Sequence, residues 1–260
     1  MKKSLLISGM FIAATFASQS ALAEVKLRVG AASSDYKLSG DYIQATSSYS
    51  PITAGLTFAS DSGFYVDLAY TDGKGKHDGW KTANFPTIAC GSTSCFNAAS
   101  ASEDFKRNDY ALIFGGSHLN RDNGVATTVY VGLKGGQTTL DAQRAAVAWK
   151  SETFDTVGVV FGGGASFPIS QGKAGAVGVN LGLGVMGGTW KDTTGFSAKA
   201  KTTIGYSLGA SYTYPITSNF GVAVDYKLNA YNYKFAWSGN RTVSITEGIS
   251  TLGATAYVKF

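Results

Sequence analysis

The chain has 260 residues, of which 33 are glycine, 13% are aromatic and only 15% carry a charge, with a net charge of +5. That charge is too small and too dispersed to suit a nucleic-acid partner, and the apolar and aromatic content excludes intrinsic disorder. Four prolines exclude a collagen-like or proline-rich chain, and the surplus of glycine and aromatics over charge points to β-structure that meets something other than water.

The first segment reads as an export signal. Two lysines, Lys2 and Lys3, precede an apolar stretch of about a dozen residues, a polar break at Ser18-Gln19-Ser20 and then Ala21-Leu22-Ala23. A membrane-anchoring helix would need about 20 apolar residues, more than are present. Cleavage after Ala23 makes residues 1–23 a signal peptide and 24–260 a single domain. With Lys2 and Lys3 removed, 20 basic residues face 17 acidic ones, a net +3.

From Glu24 onward the recurring pattern is alternation. Ten runs carry an apolar residue at every second position: 25–31, 52–58, 64–70, 110–114, 125–133, 157–167, 177–185, 204–214, 220–228 and 252–260. Successive side chains of a strand point to opposite sides, so each set lies on one face. Between the runs, short links rich in turn formers (60–62, 120–124, 168–173, 215–219) alternate with longer polar links (33–49, 71–106, 135–152, 188–201, 236–248). That rhythm belongs to an all-β, antiparallel up-and-down transmembrane β-barrel of ten strands, with both termini on the periplasmic side.

Composition assigns the two faces. The apolar sets are aliphatic in the middle. Phe58, Phe64, Phe167, Tyr214, Phe220 and Phe260 gather by the short turns, and Tyr70, Tyr110, Phe154 and Tyr206 by the long links. Two aromatic girdles around an aliphatic band suit a bilayer. The opposite face carries Lys26, Arg28, Asp67, Asp109, Lys134, Asp225, Lys227 and Lys259, which must point into the lumen because charge in lipid is costly. A soluble sandwich or lipocalin-like barrel would turn its apolar face inward instead; strand length, girdles and loop asymmetry favour the membrane. Mixed charge at this density suits a salt-bridge network that closes the lumen, held by Asp67 and Asp225. Gly158, Gly162 and Gly164, with Gly178, Gly182, Gly184 and Gly188, form a smooth patch that either receives bulky residues opposite or leaves a void.

The last run, Leu252, Ala254, Ala256, Val258 and Phe260, carries a family resemblance. Alternating apolar residues before a terminal Phe resemble the closing strand of the small bacterial outer-membrane β-barrel proteins. This broad group includes the barrel domain of outer membrane protein A and porin-like proteins. The resemblance implies a bacterial outer-membrane location and a last strand that serves as an assembly signal for the barrel-insertion machinery.

Chemistry is scarce. Cys90 and Cys95 are the two cysteines, and in an exported chain so close a pair is expected to form a disulfide; a zinc site would need two more nearby ligands. Gly182 to Gly187 fits a G-x-G-x-x-G pattern but lies inside a period-two run with no helix to follow, and Gly172-Lys173 lacks the spacing of a phosphate loop. Neither His77 nor His118 begins the His-x-Ser motif of outer-membrane lipid hydrolases. The Asp-x-Asp and Asp-x-His pairs of the omptin barrel proteases do not occur. The sequence therefore predicts no catalytic, cofactor or metal site. It leaves two readings: a structural or surface-recognition barrel with a closed lumen, or a narrow porin for small solutes, with an outer-membrane enzyme a distant third. The expected partners are outer-membrane lipid, the insertion machinery and an extracellular ligand or host surface met by the long links. The 71–106 link, which holds His77, Trp80, Phe85 and the cysteines, is one candidate surface; Trp149, Trp237 and Arg241 could extend it. The barrel is expected to be a monomer.

Overall fold

Strands with one apolar and one polar face satisfy every backbone donor in lipid only by closing on themselves. The structure, a computed structural model, describes residues 22–40, 44–77, 89–90, 93–94, 103–141, 151–191, 197–200, 203–236 and 242–260. Its long strands are β1 (Leu22–Gly40), β2 (Gln44–Ser60), β3 (Phe64–His77), β4 (Glu103–Leu119), β5 (Ala126–Leu140), β6 (Glu152–Pro168), β7 (Ala176–Lys191), β8 (Thr203–Pro215), β9 (Phe220–Ala236) and β10 (Thr242–Lys259). Each pairs antiparallel with the next, and β10 pairs with β1, so the ten-stranded barrel is closed. Val25 and Phe260 complete the seam: Phe260 N–H donates to the Val25 carbonyl at 2.9 Å and Val25 N–H to the Phe260 carbonyl at 3.2 Å. Two small additions, Ala89–Cys90 paired with Thr93–Ser94 and Ser197–Lys199 paired to the end of β7, lie at the opposite end. Residues 1–21 lie outside the described residues, and Leu22 and Ala23 open β1.

The short links fall where the sequence puts them, all at one end. At the other end the strands run much further than expected. They are 13 to 19 residues long, against the roughly 9–11 that cross a bilayer. Most of the expected 33–49 link is ladder, with β1 continuing to Gly40 and β2 starting at Gln44. The 236–248 link likewise becomes strand from Thr242, and β3 and β4 absorb both ends of the 71–106 link, including His77.

The cause is a reversal in the phase of the alternation. On β1, Leu27 and Val29 face outward, whereas Tyr36 and Leu38, of the opposite parity, are buried inside. On β9, Val224, Tyr226 and Leu228 face outward and Tyr231, Tyr233 and Phe235 inward; on β7 the switch falls between Val185 and Met186. An apolar residue that changes parity changes side. The barrel therefore has two storeys. In the lower one apolar side chains coat the wall and polar ones line the lumen, as lipid requires. In the upper one the wall carries Asp35, Lys37, Lys74, Lys76 and Lys234, and the apolar residues pack inside, as water requires. Tyr70, Tyr110 and Tyr206 remain exposed on the wall at the boundary, and Phe64, Phe167, Phe220 and Phe260 at the short-turn end. Phe154 does not join the upper girdle. It has inward parity, is buried, and stacks on Trp190 with ring centroids 5.4 Å apart.

Candidate functional site: the barrel lumen

All eight lumenal charges expected from parity point inward, but they do not form one network. At the short-turn end, Glu24 receives Lys259 at 2.9 Å and Lys26 at 4.0 Å, and the Lys26 ammonium lies 5.0 Å from the Tyr257 ring centroid. Higher up, Arg28 donates to Asp67 at 2.6 Å, and Thr57 donates to the same carboxylate oxygen at 2.6 Å. These residues sit on the adjacent strands β1, β2 and β3, so the cluster hugs the wall. Asp225 and Lys227, two residues apart on β9, approach to 3.7 Å.

The contacts that cross the lumen lie above. Lys134 on β5 donates to Asn229 on β9 at 3.2 Å, and its ammonium is 5.5 Å from the Tyr231 ring centroid. Arg107 on β4 donates to Glu247 on β10 at 2.7 Å, to Thr138 at 2.6 Å and to both oxygens of Asp109 at 2.8 Å. Glu247 also accepts from the Tyr233 hydroxyl at 2.9 Å. Both charged side chains are almost fully buried, at 3% and 1% exposure. A buried ion pair is tolerated only when its remaining donors and acceptors are satisfied, and here four strands contribute to that.

An apolar layer packs on this cluster. Tyr36 and Tyr49 flank Phe105, each with ring centroids 4.9 Å from it, and Leu38, Leu140, Val243 and Ile245 are buried beside them. Across the bore, Trp190 sits between Phe154 and Phe235 and donates its indole N–H to Glu152. The upper lumen is thus filled by side chains that lipid never meets.

At Gly162 and Gly182 the glycine patch on β6 and β7 makes room for a bulky residue, which comes from the neighbouring strand and not from the opposite wall. Tyr130 reaches over the patch from β5. A Cβ added at Gly162 or Gly182 would lie 2.5 Å from the Tyr130 hydroxyl, so the missing side chains make room for this ring. Tyr65 over Gly115 and Tyr231 over Gly205 repeat the arrangement. An aromatic ring lying across a neighbouring strand's glycine keeps the wall packed.

Alternation located Lys26, Arg28, Asp67, Asp109, Lys134, Asp225, Lys227 and Lys259 on the lumenal face, but did not identify Arg107, Glu247, Thr138 and Tyr233. Asp67 and Asp225, expected to hold the lumen shut, belong to contacts along the wall, and closure falls to Thr138 and Glu247, from links read as loops, and to Arg107 and Tyr233, which lie between those links and the apolar runs. The available signal was the parity of Val243, Ile245 and Ile249, which places Glu247 inside with them. His77 is likewise an inward, buried residue of β3, its Nε2 2.9 Å from the Asp141 carbonyl. Cys90 lies in the small two-stranded ladder; Cys95, Trp80, Phe85, Trp149, Trp237 and Arg241 lie outside the described residues. Leu252 and Phe260 of the last strand face outward as expected.

No protein-family model matches the chain, and no curated protein sequence matches it. Among solved structures, the barrel is similar to the outer membrane protease OmpT from Escherichia coli, at 11% identity over 92% of this chain and 98% of that one, with a TM-score of 0.66. It is also similar to the translocator domain of the autotransporter NalP from Neisseria meningitidis, at 8% identity over 99% of this chain and 96% of that one, with a TM-score of 0.50. At such identities the likeness is one of fold. The resemblance to small outer-membrane barrels holds at that level, and function must come from the side chains.

Proposed function

We propose that this protein is a closed barrel of the bacterial outer membrane, with its short turns in the periplasm and its upper storey standing above the outer leaflet. Its role is structural or surface recognition: a rigid, plugged stem that holds the segments following β3, β5, β7 and β9 away from the membrane. The observation that carries this reading is the buried Arg107–Glu247 pair, which spans the lumen at 2.7 Å beneath a layer of packed aromatics. Solute passing from end to end would have to break that pair and part the rings above it.

Planar-bilayer recording of the refolded protein tests this directly. The wild type should give no steady channels. Large, stable currents would make the narrow porin the better description; the missing side chain at Gly178 and the small ones of Ser207 and Ser211 in the lower lumen are the feature that favours it.

Catalysis is not part of this reading. The fold is shared with a protease, but the omptin aspartate pairs do not occur in this sequence. Asp109 and Asp155 are occupied, the first by Arg107 and the second by Gln137 and Lys191. Purified protein incubated with unstructured peptides should release no fragments.

A further inference from the structure

Where the two storeys meet, the outer wall is hollowed. A groove of about 850 Å³ runs across strands β8 to β3 on the outside of the barrel. The register shows why. Asp35 faces Ser250, Lys37 faces Gly248, and Gly248 in turn faces Ala230, so the floor is made of small side chains. A Cβ at Gly248 would meet nothing closer than the Lys37 carbonyl oxygen at 3.9 Å, so the space above it is open. On the membrane side the groove is edged by Tyr206 and Leu228, both on the apolar wall. On the other side stand Lys37 and Lys76.

The charges are not equivalent. Lys76 is paired with Asp104 at 2.5 Å, and Asp35 accepts a hydrogen bond from Ser48 at 2.7 Å. Lys37 is exposed, and among the described residues no carboxylate lies within ion-pair distance of it. The groove thus offers an apolar edge at the height of the aromatic girdle, one available ammonium just above it, and hydroxyls and a carboxylate between them. We infer that it binds a phosphorylated glycolipid of the outer leaflet. The acyl portion would lie along Leu228 and Tyr206, a phosphate would be met by Lys37, and sugar hydroxyls by Asp35 and Ser48. The volume is far larger than a phosphate needs, and the apolar edge would be unused by a free ion. Tyr and Lys at this level are the side chains that membrane interfaces select. The inference rests on the orientation proposed above, with the upper storey outside, and not on closure of the lumen.

The test uses the purified full-length barrel in detergent, mixed with rough lipopolysaccharide, with the same lipid after phosphatase treatment, or with inorganic phosphate, and bound lipid is read by native mass spectrometry. The intact lipid should be retained. Lys37→Ala should lower retention about ten-fold, the size of one charge-assisted contact. Gly248→Leu should lower it comparably by filling the floor. Heat-modified gel migration identifies folded protein; if Gly248→Leu does not fold, Gly248→Ser is the second floor variant. Equal retention by the wild type and both variants, or equal retention of the dephosphorylated lipid, would overturn the inference. So would a wild-type dimer that Gly248→Leu converts to monomer, since the wall would then be an interface between copies, and so would binding of phosphate alone with the same affinity. Protease added to whole cells, which should cut within residues 78–102, checks the orientation separately.

Discussion

Arg107 and Glu247 are 140 positions apart in sequence and meet in the centre of the barrel at 2.7 Å, on strands nearly opposite each other. Because each is almost entirely buried, removing Arg107 leaves Glu247 as an uncompensated charge, whereas removing Glu247 leaves Arg107 still paired with Asp109 at 2.8 Å. Arg107→Ala should therefore destabilise the refolded barrel by about 3–5 kcal/mol in urea unfolding, and Glu247→Ala by less. The double variant Arg107→Met, Glu247→Leu should recover a large part of that loss. A single variant as stable as wild type would show that the pair is solvated.

Arg28 and Asp67 offer the contrast. Their side chains are 32% and 19% exposed and lie against the wall. Asp67→Asn should cost about 1 kcal/mol or less, and it should not raise conductance, because the closing contacts lie above it. A conductance increase in Asp67→Asn that Glu247→Ala lacks would reverse this assignment.

The glycine patch gives a packing test. Gly182→Val would place a methyl group where the Tyr130 hydroxyl and Ser207 now lie. The expected cost is about 1–3 kcal/mol from overpacking, measured by urea unfolding. Combining it with Tyr130→Ala should be less costly than the two changes added together, because the glycine exists to admit the ring. Strict additivity would mean that the two do not pack on each other.

Much of the fold was legible because lipid imposes a strict period of two: ten runs, four short turns and the inward set of charges can all be read from it. What was harder to read was the upper storey. There Tyr36, Leu38, Tyr233, Phe235, Val243 and Ile245 keep the same period in the opposite phase. Set against the membrane phase they resemble irregular, polar loop sequence, since Asp35, Lys37 and Lys234 stand between or beside them. Glu247 is then a single charge in a link read as a loop, and Arg107 one just outside the 71–106 link. Their pairing depends on curvature bringing β4 opposite β10, which no local pattern encodes.

The cysteine pair remains an expectation from spacing and export. Mass spectrometry of the unreduced protein should find Cys90 and Cys95 blocked within one short peptide. Reduction should leave barrel stability unchanged, since the constraint lies outside the ten-stranded sheet. Two freely alkylated cysteines would contradict it.

Phe260 has two roles to separate. Its backbone bonds to Val25 close the seam, and its ring is 74% exposed on the wall. Phe260→Ala keeps the backbone bonds, so the purified barrel should resist denaturation as the wild type does, while the amount inserted in cells should fall. Normal insertion would remove the assembly role.

The two-storey arrangement is the claim on which the plugged lumen and the outer-wall groove both depend. It is tested most directly by spin labels placed singly along β9 and read by their accessibility to oxygen and to a water-soluble nickel chelate. Labels at Val224 and Leu228 should favour oxygen, labels at Asn232 and Lys234 should favour the chelate, and one at Tyr233 should be reached by neither. Oxygen preference continuing to Lys234 would place the upper wall in lipid. Free access of the chelate at Tyr233 would mean that the lumen is open, and either result would contradict the two-storey barrel.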